Sequence, residues 1–392
     1  MLANYHLLAN PWFAHNVYAL AENSRIANRR GELCSSVNKS TLQIKFSYKR
    51  RLTMKKFIAL LLLIFVLTAT FVACEQPDND PQSYTMVAPD GAPALAISEL
   101  MAKNMQFDNT FIYKIVAVDD IKNHVVGNIN THADFALLPV NLASKLIGGG
   151  DEYKMIAVVT HGNLYFLSKN ETAITAENAS AQLKGKSIAV VNLSAVPGLT
   201  TKALLTKVGL AYTEDISQHT SENVYLKGIN GTEIGASLNS ENAVDYVVAP
   251  EPAVSTITGK APVIKKVGAL HDVYGRYPQA VLVAKTSIIE KDIDLVKAVV
   301  DAMKGATDYV KANTQNAVDA VASHLPEGTT PSFNAVNTTS AVVDGCGINV
   351  KTFDNDDLLQ QVKTYINDII AVNANSAQAF PETFFVNINK IK

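Results

Sequence analysis

Cysteine is scarce in this chain: three residues in 392, Cys34, Cys74 and Cys346. That number leaves no room for a disulfide framework or a cysteine-rich metal site. Catalytic signatures are missing as well. The sequence has no His-Glu-x-x-His pair, no Gly-x-Ser-x-Gly nucleophile elbow and no Gly-rich dinucleotide loop. The stretch "VNLSAVPGLTTKAL" (191–204) is not a phosphate-binding P-loop either, because it lacks the spaced glycines and the Gly-Lys-Ser/Thr ending. His132, His161 and His271 have acidic neighbours but no clear metal-ligand spacing, so neither a metal nor a cofactor is expected. A basic surplus is lacking too: 34 Lys/Arg stand against 36 Asp/Glu. Ten of those basic residues and two of the acidic ones precede Cys74, which leaves 24 against 34 and a net charge of −10 beyond it. Nucleic acid, which is held by neutralising phosphates with basic side chains, is not an expected partner.

The front of the chain carries an export pattern. "MKKFIALLLLIFVLTATFVAC" opens with Met54, Lys55 and Lys56, runs apolar from Phe57 to Ala73 and reaches Cys74. A charged start, a greasy middle and a small residue before a cleavage point describe a signal peptide. "FVAC" resembles a bacterial lipobox, with lipidation expected at Cys74 and cleavage before it. The sequence therefore divides as follows: residues 1–53 as a non-native or disordered extension, 54–73 as a lipoprotein signal and 74–83, containing "EQPDNDPQS", as a tether. An uncleaved membrane anchor is the rival reading, because the apolar run approaches the length of a spanning helix. With Cys34 in the extension and Cys74 lipidated, Cys346 stands alone.

Beyond the tether, short apolar runs alternate with helical patterns. "YTMVAP" (84–89), "IYKIVAV" (112–118), "ADFALLPV" (133–140), "YKMIAVVT" (153–160) and "LYFLSK" (164–169) read as strands. Helices are expected over 95–104, 119–129 and 141–147. The pattern restarts near residue 185 with "KSIAVVN", then "NVYLKGI", "VDYVVAP" and "QAVLVAK", with an edge strand near 261–270. The tail turns helical at roughly 288–309, 315–323 and 355–371. Such alternation indicates an α/β fold with mostly parallel sheets. The restart predicts two lobes: 84–184 as lobe 1, 185–280 as lobe 2, and 281–392 as a return crossover with a C-terminal part mostly in lobe 1. One larger sheet is the alternative.

Strand ends repeatedly run into loops of Gly, Pro, Ser, Thr and Asn, such as "APDGAP" (88–93), "PVNLAS" (139–144), "THGN" (160–163), "NLSAVPG" (192–198) and "APEPA" (249–253). In open α/β sheets, loops at this end form the ligand crevice. "VNLSAVPGLTTKAL" (191–204) places a helix start after a strand, where free backbone N–H groups favour a negative or polar group. Hydroxyls of Ser194, Thr200 and Thr201 could add donors there.

Seven stretches, in order, carry a resemblance: "APDGAPALAISELM", "ADFALLPVNLASKL", "GNLYFLSK", "LKGKSIAV", "PGLTTKALLTKVGL", "VDYVVAPEPAVS" and "YPQAVLVAK". Together they resemble the extracytoplasmic solute-binding proteins of ABC importers, in the SsuA-like group that includes nitrate, sulfonate, taurine and thiamine-precursor binders. The resemblance covers most of 84–310 and implies a two-lobed type II periplasmic-binding-protein-like fold with an interlobe cleft and a helical C-terminal region. It implies ligand contacts from Gly91, Ala92 and Pro93; Pro139 and Asn141; His161, Gly162 and Asn163; Ser194, Pro197, Gly198, Thr200 and Thr201; Glu251; and Tyr277 and Gln279. It also implies a monomer on the outer face of a bacterial membrane, held by lipidated Cys74 and handing a small-molecule solute to permease subunits with a cytoplasmic ATPase. The solute would be small and polar or anionic, either sulfonate- or nitrate-like or a pyrimidine-like heterocycle. Two features depart from anion binders of the group: Arg276 is the only arginine near these loops, and Glu251 favours an N–H or a cation. Tyr165 and Tyr246 are stacking candidates that strands more often bury. A surface sensor or adhesion module is the alternative, and an enzyme related to thiamine-precursor synthases a more distant one.

Overall fold

The structure is a computed structural model that describes residues 82–126, 132–146 and 150–391. The expected extension, signal, Cys74 and most of the tether lie outside the described residues. Among the described residues no helix is long and apolar enough to cross a membrane.

Among the described residues, two six-stranded sheets make up the fold. The first contains β1 (Ser83–Pro89), β2 (Thr110–Val116), β3 (Phe135–Pro139), β4 (Tyr153–His161), β11 (Pro278–Lys285) and β12 (Ile348–Thr352), in the order β2-β1-β3-β11-β4-β12. The second contains β5 (Leu164–Ser168), β6 (Ser187–Val191), β7 (Tyr212–Thr213), β8 (Val224–Ile229), β9 (Tyr246–Pro250) and β10 (Lys265–Ala269), in the order β7-β8-β6-β9-β5-β10. Each sheet has a parallel core, and each takes one antiparallel strand that arrives from the other: β11 between β3 and β4, β5 between β9 and β10. This reciprocal exchange ties the lobes through two short segments, 162–163 and 275–277.

The central strands are buried almost throughout, as expected where both faces are covered. In β4, eight of nine residues are buried, which matches the unbroken apolar run in its sequence. The helix Ile293–Lys304 covers the first sheet with Leu295, Val296, Val299, Val300 and Met303, a spacing that forms one face. Its start is fixed by Asp292, whose side chain accepts from the Leu295 N–H. The helix Asp356–Val372 buries Leu358, Val362, Tyr365, Ile366 and Ile369. It packs against helix Val196–Lys207 of the second lobe as well as helix Val140–Lys145 and β11 of the first. One apolar core consequently runs through both lobes and this helix.

Two sequence expectations need correction. The change of lobe comes at Gly162–Asn163 rather than near 185, because β5 leaves β4 after two residues and pairs with β9 and β10. The helix expected over 95–104 is two short ones, Ala92–Ala96 and Ser98–Ala102, parted at Ile97, whose backbone (φ −113, ψ 8) is not helical.

Candidate functional site

The strand ends expected to carry ligand loops do converge. Between the two sheets lies a cavity of about 700 Å³, walled by residues that follow β1, β3, β6, β8 and β9. Three of those strands stop at a proline in the wall: Pro89, Pro139 and Pro250. Proline lacks an N–H and cannot extend the ladder, so it turns the chain out at the cavity edge.

On the first lobe the wall is Asp90, Gly91, Ala92 and Pro93. Gly91 sits at φ 114, a conformation open to glycine, and starts helix Ala92–Ala96. The Asp90 carboxylate is already engaged. Its Oδ1 accepts from the Gly91 N–H at 2.8 Å, and its Oδ2 accepts from the Ser332 N–H at 2.8 Å and the Ser332 hydroxyl at 2.7 Å. This carboxylate pins the 332–337 loop to the rim. From that loop Asn337 Nδ2 reaches across to Thr256 Oγ1 of the second lobe at 3.5 Å.

On the second lobe the wall is Val191, Asn192, Ala195, Val196 and Pro197. Asn192 turns the chain out of β6 at φ 57, a conformation that asparagine tolerates better than most residues. Helix Val196–Lys207 follows, with Ala195 at its N-cap, no side-chain cap and no acidic residue in its first turn. The helix start therefore does open into the cavity, but two residues before the expected Gly198. Gly198 instead permits a close backbone approach, since a Cβ there would lie 1.9 Å from the Leu193 carbonyl oxygen.

The expected hydroxyl donors turn away from the wall. Thr200 is fully buried, donating to the Val196 carbonyl at 2.7 Å and meeting Tyr365 Oη at 2.5 Å. Thr201 donates to the Pro197 carbonyl at 2.8 Å. Helical geometry brings a threonine hydroxyl to the carbonyl four residues back, and both take that bond. Ser194 is exposed, and its hydroxyl donates to Asn192 Oδ1 at 3.4 Å.

Glu251 lies in the wall, yet its carboxylate faces its own helix. It accepts from the Ser255 N–H at 3.0 Å and the Ser255 hydroxyl at 2.9 Å, with Lys266 Nζ 3.8 Å away. Both carboxylate oxygens thus already accept a bond from within the protein. Tyr165 donates to the Gly345 carbonyl at 2.8 Å, and Tyr246 packs edge-on to Phe166, so neither stacks in the cavity.

His161, Gly162 and Tyr277 belong to the crossover. The Gly162 N–H donates to the Tyr277 carbonyl at 3.1 Å, and the His161 N–H to the Gly347 carbonyl at 2.8 Å. His161 is 5% exposed, and its Nε2 lies 3.1 Å from the Asn349 carbonyl oxygen. Burial, with Lys351 and Arg276 nearby, pushes its pKa down to about 4. Tyr277 is fully buried and stacks on Tyr365, with centroids 5.3 Å apart. Asn141 points at the C-terminal segment, donating to the Ser376 carbonyl at 3.3 Å. Arg276 is exposed and outside the wall.

Two crossover residues do reach the cavity. Asn163 and Gln279 line its floor beside Thr160, and Gln279 Oε1 accepts from the Asn163 N–H at 3.0 Å. Thr160, Asn192 and Val196 fall in the expected loops 160–163 and 192–198, whereas Ile257, Lys260, Ser332 and Asn337, also in the wall, were not expected from the sequence. Among the described residues no group of three or more His, Cys, Asp or Glu is placed to hold a metal ion.

No protein-family model matches the chain, and no curated protein matches it. Solved structures do. An ABC transporter protein from Parabacteroides distasonis is 16% identical, with a TM-score of 0.59 over 78% of this chain and 99% of that one. The periplasmic aliphatic sulphonate binding protein from Escherichia coli is 12% identical, with a TM-score of 0.55 over 75% and 88%. The zinc-bound ligand-binding component of an ABC-type import system from Staphylococcus aureus is 12% identical, with a TM-score of 0.51 over 78% and 96%. At these identities the likeness is one of fold, and that fold is the two-lobed type II periplasmic-binding-protein fold.

Proposed function

We propose that this chain is the solute-binding component of an ABC importer, a binder rather than an enzyme. The observation that carries the reading is the cavity of about 700 Å³ enclosed by strand-end loops of two sheets joined by short crossovers. A site divided between two lobes closes over its ligand by hinge motion and releases it by opening, which suits capture and delivery. The volume lies within the range of small-molecule sites. Likeness to ligand-binding components of import systems supports the same reading.

The finer parts of the proposal are these. The chain works as a monomer outside the cell, tethered through lipidated Cys74, and passes one small solute to permease subunits driven by a cytoplasmic ATPase. Gly91, Ala92, Pro93, Pro139, Asn163, Pro197 and Gln279 contact the solute. The test is a melting screen of the full chain against small solutes, followed by uptake in cells lacking the gene. A ligand at a hundred times its Kd should add about 2.7 kcal/mol of stability, and gene loss should abolish uptake of that solute. Undiminished uptake of the bound solute would refute the transport role. For the anchor, Cys74→Ala should release the protein from membranes, whereas wild-type protein that retains residues 54–73 would disprove lipidation there.

A further inference from the structure

The cavity wall is poor in the charge that an anion needs. Among its described residues Asp90, Asp119 and Glu251 are acidic, Lys260 is the one basic residue, and arginine is absent. Lys260 is exposed at the end of helix Ala253–Lys260. The uncapped start of helix Val196–Lys207 supplies only a partial positive charge. A ligand with a full negative charge would thus enter a wall of net negative sign.

The floor asks for something else. Asn163 is 4% exposed, and its Oδ1 is buried without a hydrogen-bond partner. Buried polar atoms are almost always paired, and an unpaired one in a cavity wall marks a place for a bonding group. Beside it, Gln279 has committed its Oε1 to the Asn163 N–H, which leaves its Nε2 as a donor. Thr160 Oγ1 accepts from the Ala280 N–H at 3.0 Å, which leaves its own proton to give. An amide acceptor next to two donors complements an edge that carries N–H beside C=O. Around this floor the wall is apolar, with Pro93, Pro139, Val196 and Ile257.

We propose that the cleft takes an uncharged solute with an N–H beside a C=O on an apolar body (a carboxamide, lactam or cyclic imide) rather than a sulfonate or nitrate. This rests on the solute-binding reading above. The carbonyl of such a solute faces the donors of Gln279 and Thr160, and its N–H faces Asn163.

The experiment uses the full chain in detergent, with melting curves and calorimetry against benzamide and uracil on one side and benzoate, benzenesulfonate and nitrate on the other. A neutral probe should bind at least about ten-fold more tightly than every anion, following the cost of an unmatched charge. Asn163→Leu and Gln279→Leu should each weaken it by roughly 5- to 100-fold, from the loss of a buried hydrogen bond. Circular dichroism checks their folding, and Thr160→Val replaces whichever fails to fold. Tighter binding of an anion overturns the solute class and leaves the binding reading intact. A neutral probe that binds the folded variants as it binds wild type overturns the floor assignment. No binding by any probe counts against both.

Discussion

Lowering the pH from 7 to 4 should cost this fold about 3 kcal/mol at a single imidazole. His161 is buried at the crossover, and its pKa falls from an ordinary 6.5 to about 4 because burial, Lys351 and Arg276 disfavour its charged form. Between those values the unfolded chain binds a proton that the folded chain refuses, so stability falls as pH drops through the window. Above pH 6.5 both states are neutral and below about 4 both are charged, so the loss is confined to that range. A gap of that width, at about 1.4 kcal/mol per pH unit, gives the figure of about 3 kcal/mol. Urea unfolding of wild type and His161→Gln at pH 7.5, 5.5 and 4.0 isolates the effect, since carboxylates act alike in both proteins. Glutamine keeps a side-chain N–H for the Asn349 carbonyl. The variant should lose about 3 kcal/mol less than wild type between the pH extremes. Equal losses in the two proteins would refute the assignment of a buried, neutral His161.

Gly347→Ala should destabilise by about 3 kcal/mol or more, read as a fall in melting temperature, because a Cβ there lies 1.9 Å from the His161 carbonyl oxygen at φ 63. An unchanged melt would contradict that packing. Thr200→Val and Thr201→Val should each cost roughly 1–2 kcal/mol and leave the affinity of any bound probe within about two-fold, because both hydroxyls bond to their own helix. A ten-fold loss of affinity in either would return them to the cleft. Cys346 should resist alkylation at pH 8 until the protein unfolds, since burial and the nearby Glu251 carboxylate push its thiol pKa up. Peptide mapping that finds it labelled in native protein would overturn this.

The strands were legible because their apolar runs end in Pro or Gly at the places where the chain must leave the sheet, as at Pro89, Pro139 and Pro250. Strand β12 also alternates buried and exposed residues, yet "INVKT" is too short and lies too far from the other strand signals to be placed by periodicity. The cleft was legible as a set of loops, and much less so as a set of side chains. Thr200 looks like a donor until Tyr365, 165 residues on, meets it in the interior. Glu251 looks free until its own helix turns Ser255 back onto it. Ser332 closes on Asp90 across 242 residues, a pairing no local pattern records. The helix start was read two residues late, at Gly198, although a proline in the first turn, here Pro197, is a signal that places it earlier.

Hydrogen exchange of the full chain, with and without the probe that raises its melting temperature most, tests solute capture between the lobes most directly. The expected result is simultaneous protection of 90–93, 160–163, 192–199, 250–257 and 332–337, the wall segments of both lobes. Protection confined to the loops of one sheet, or centred on the separate surface depression around Lys351 and Asp354, would contradict it.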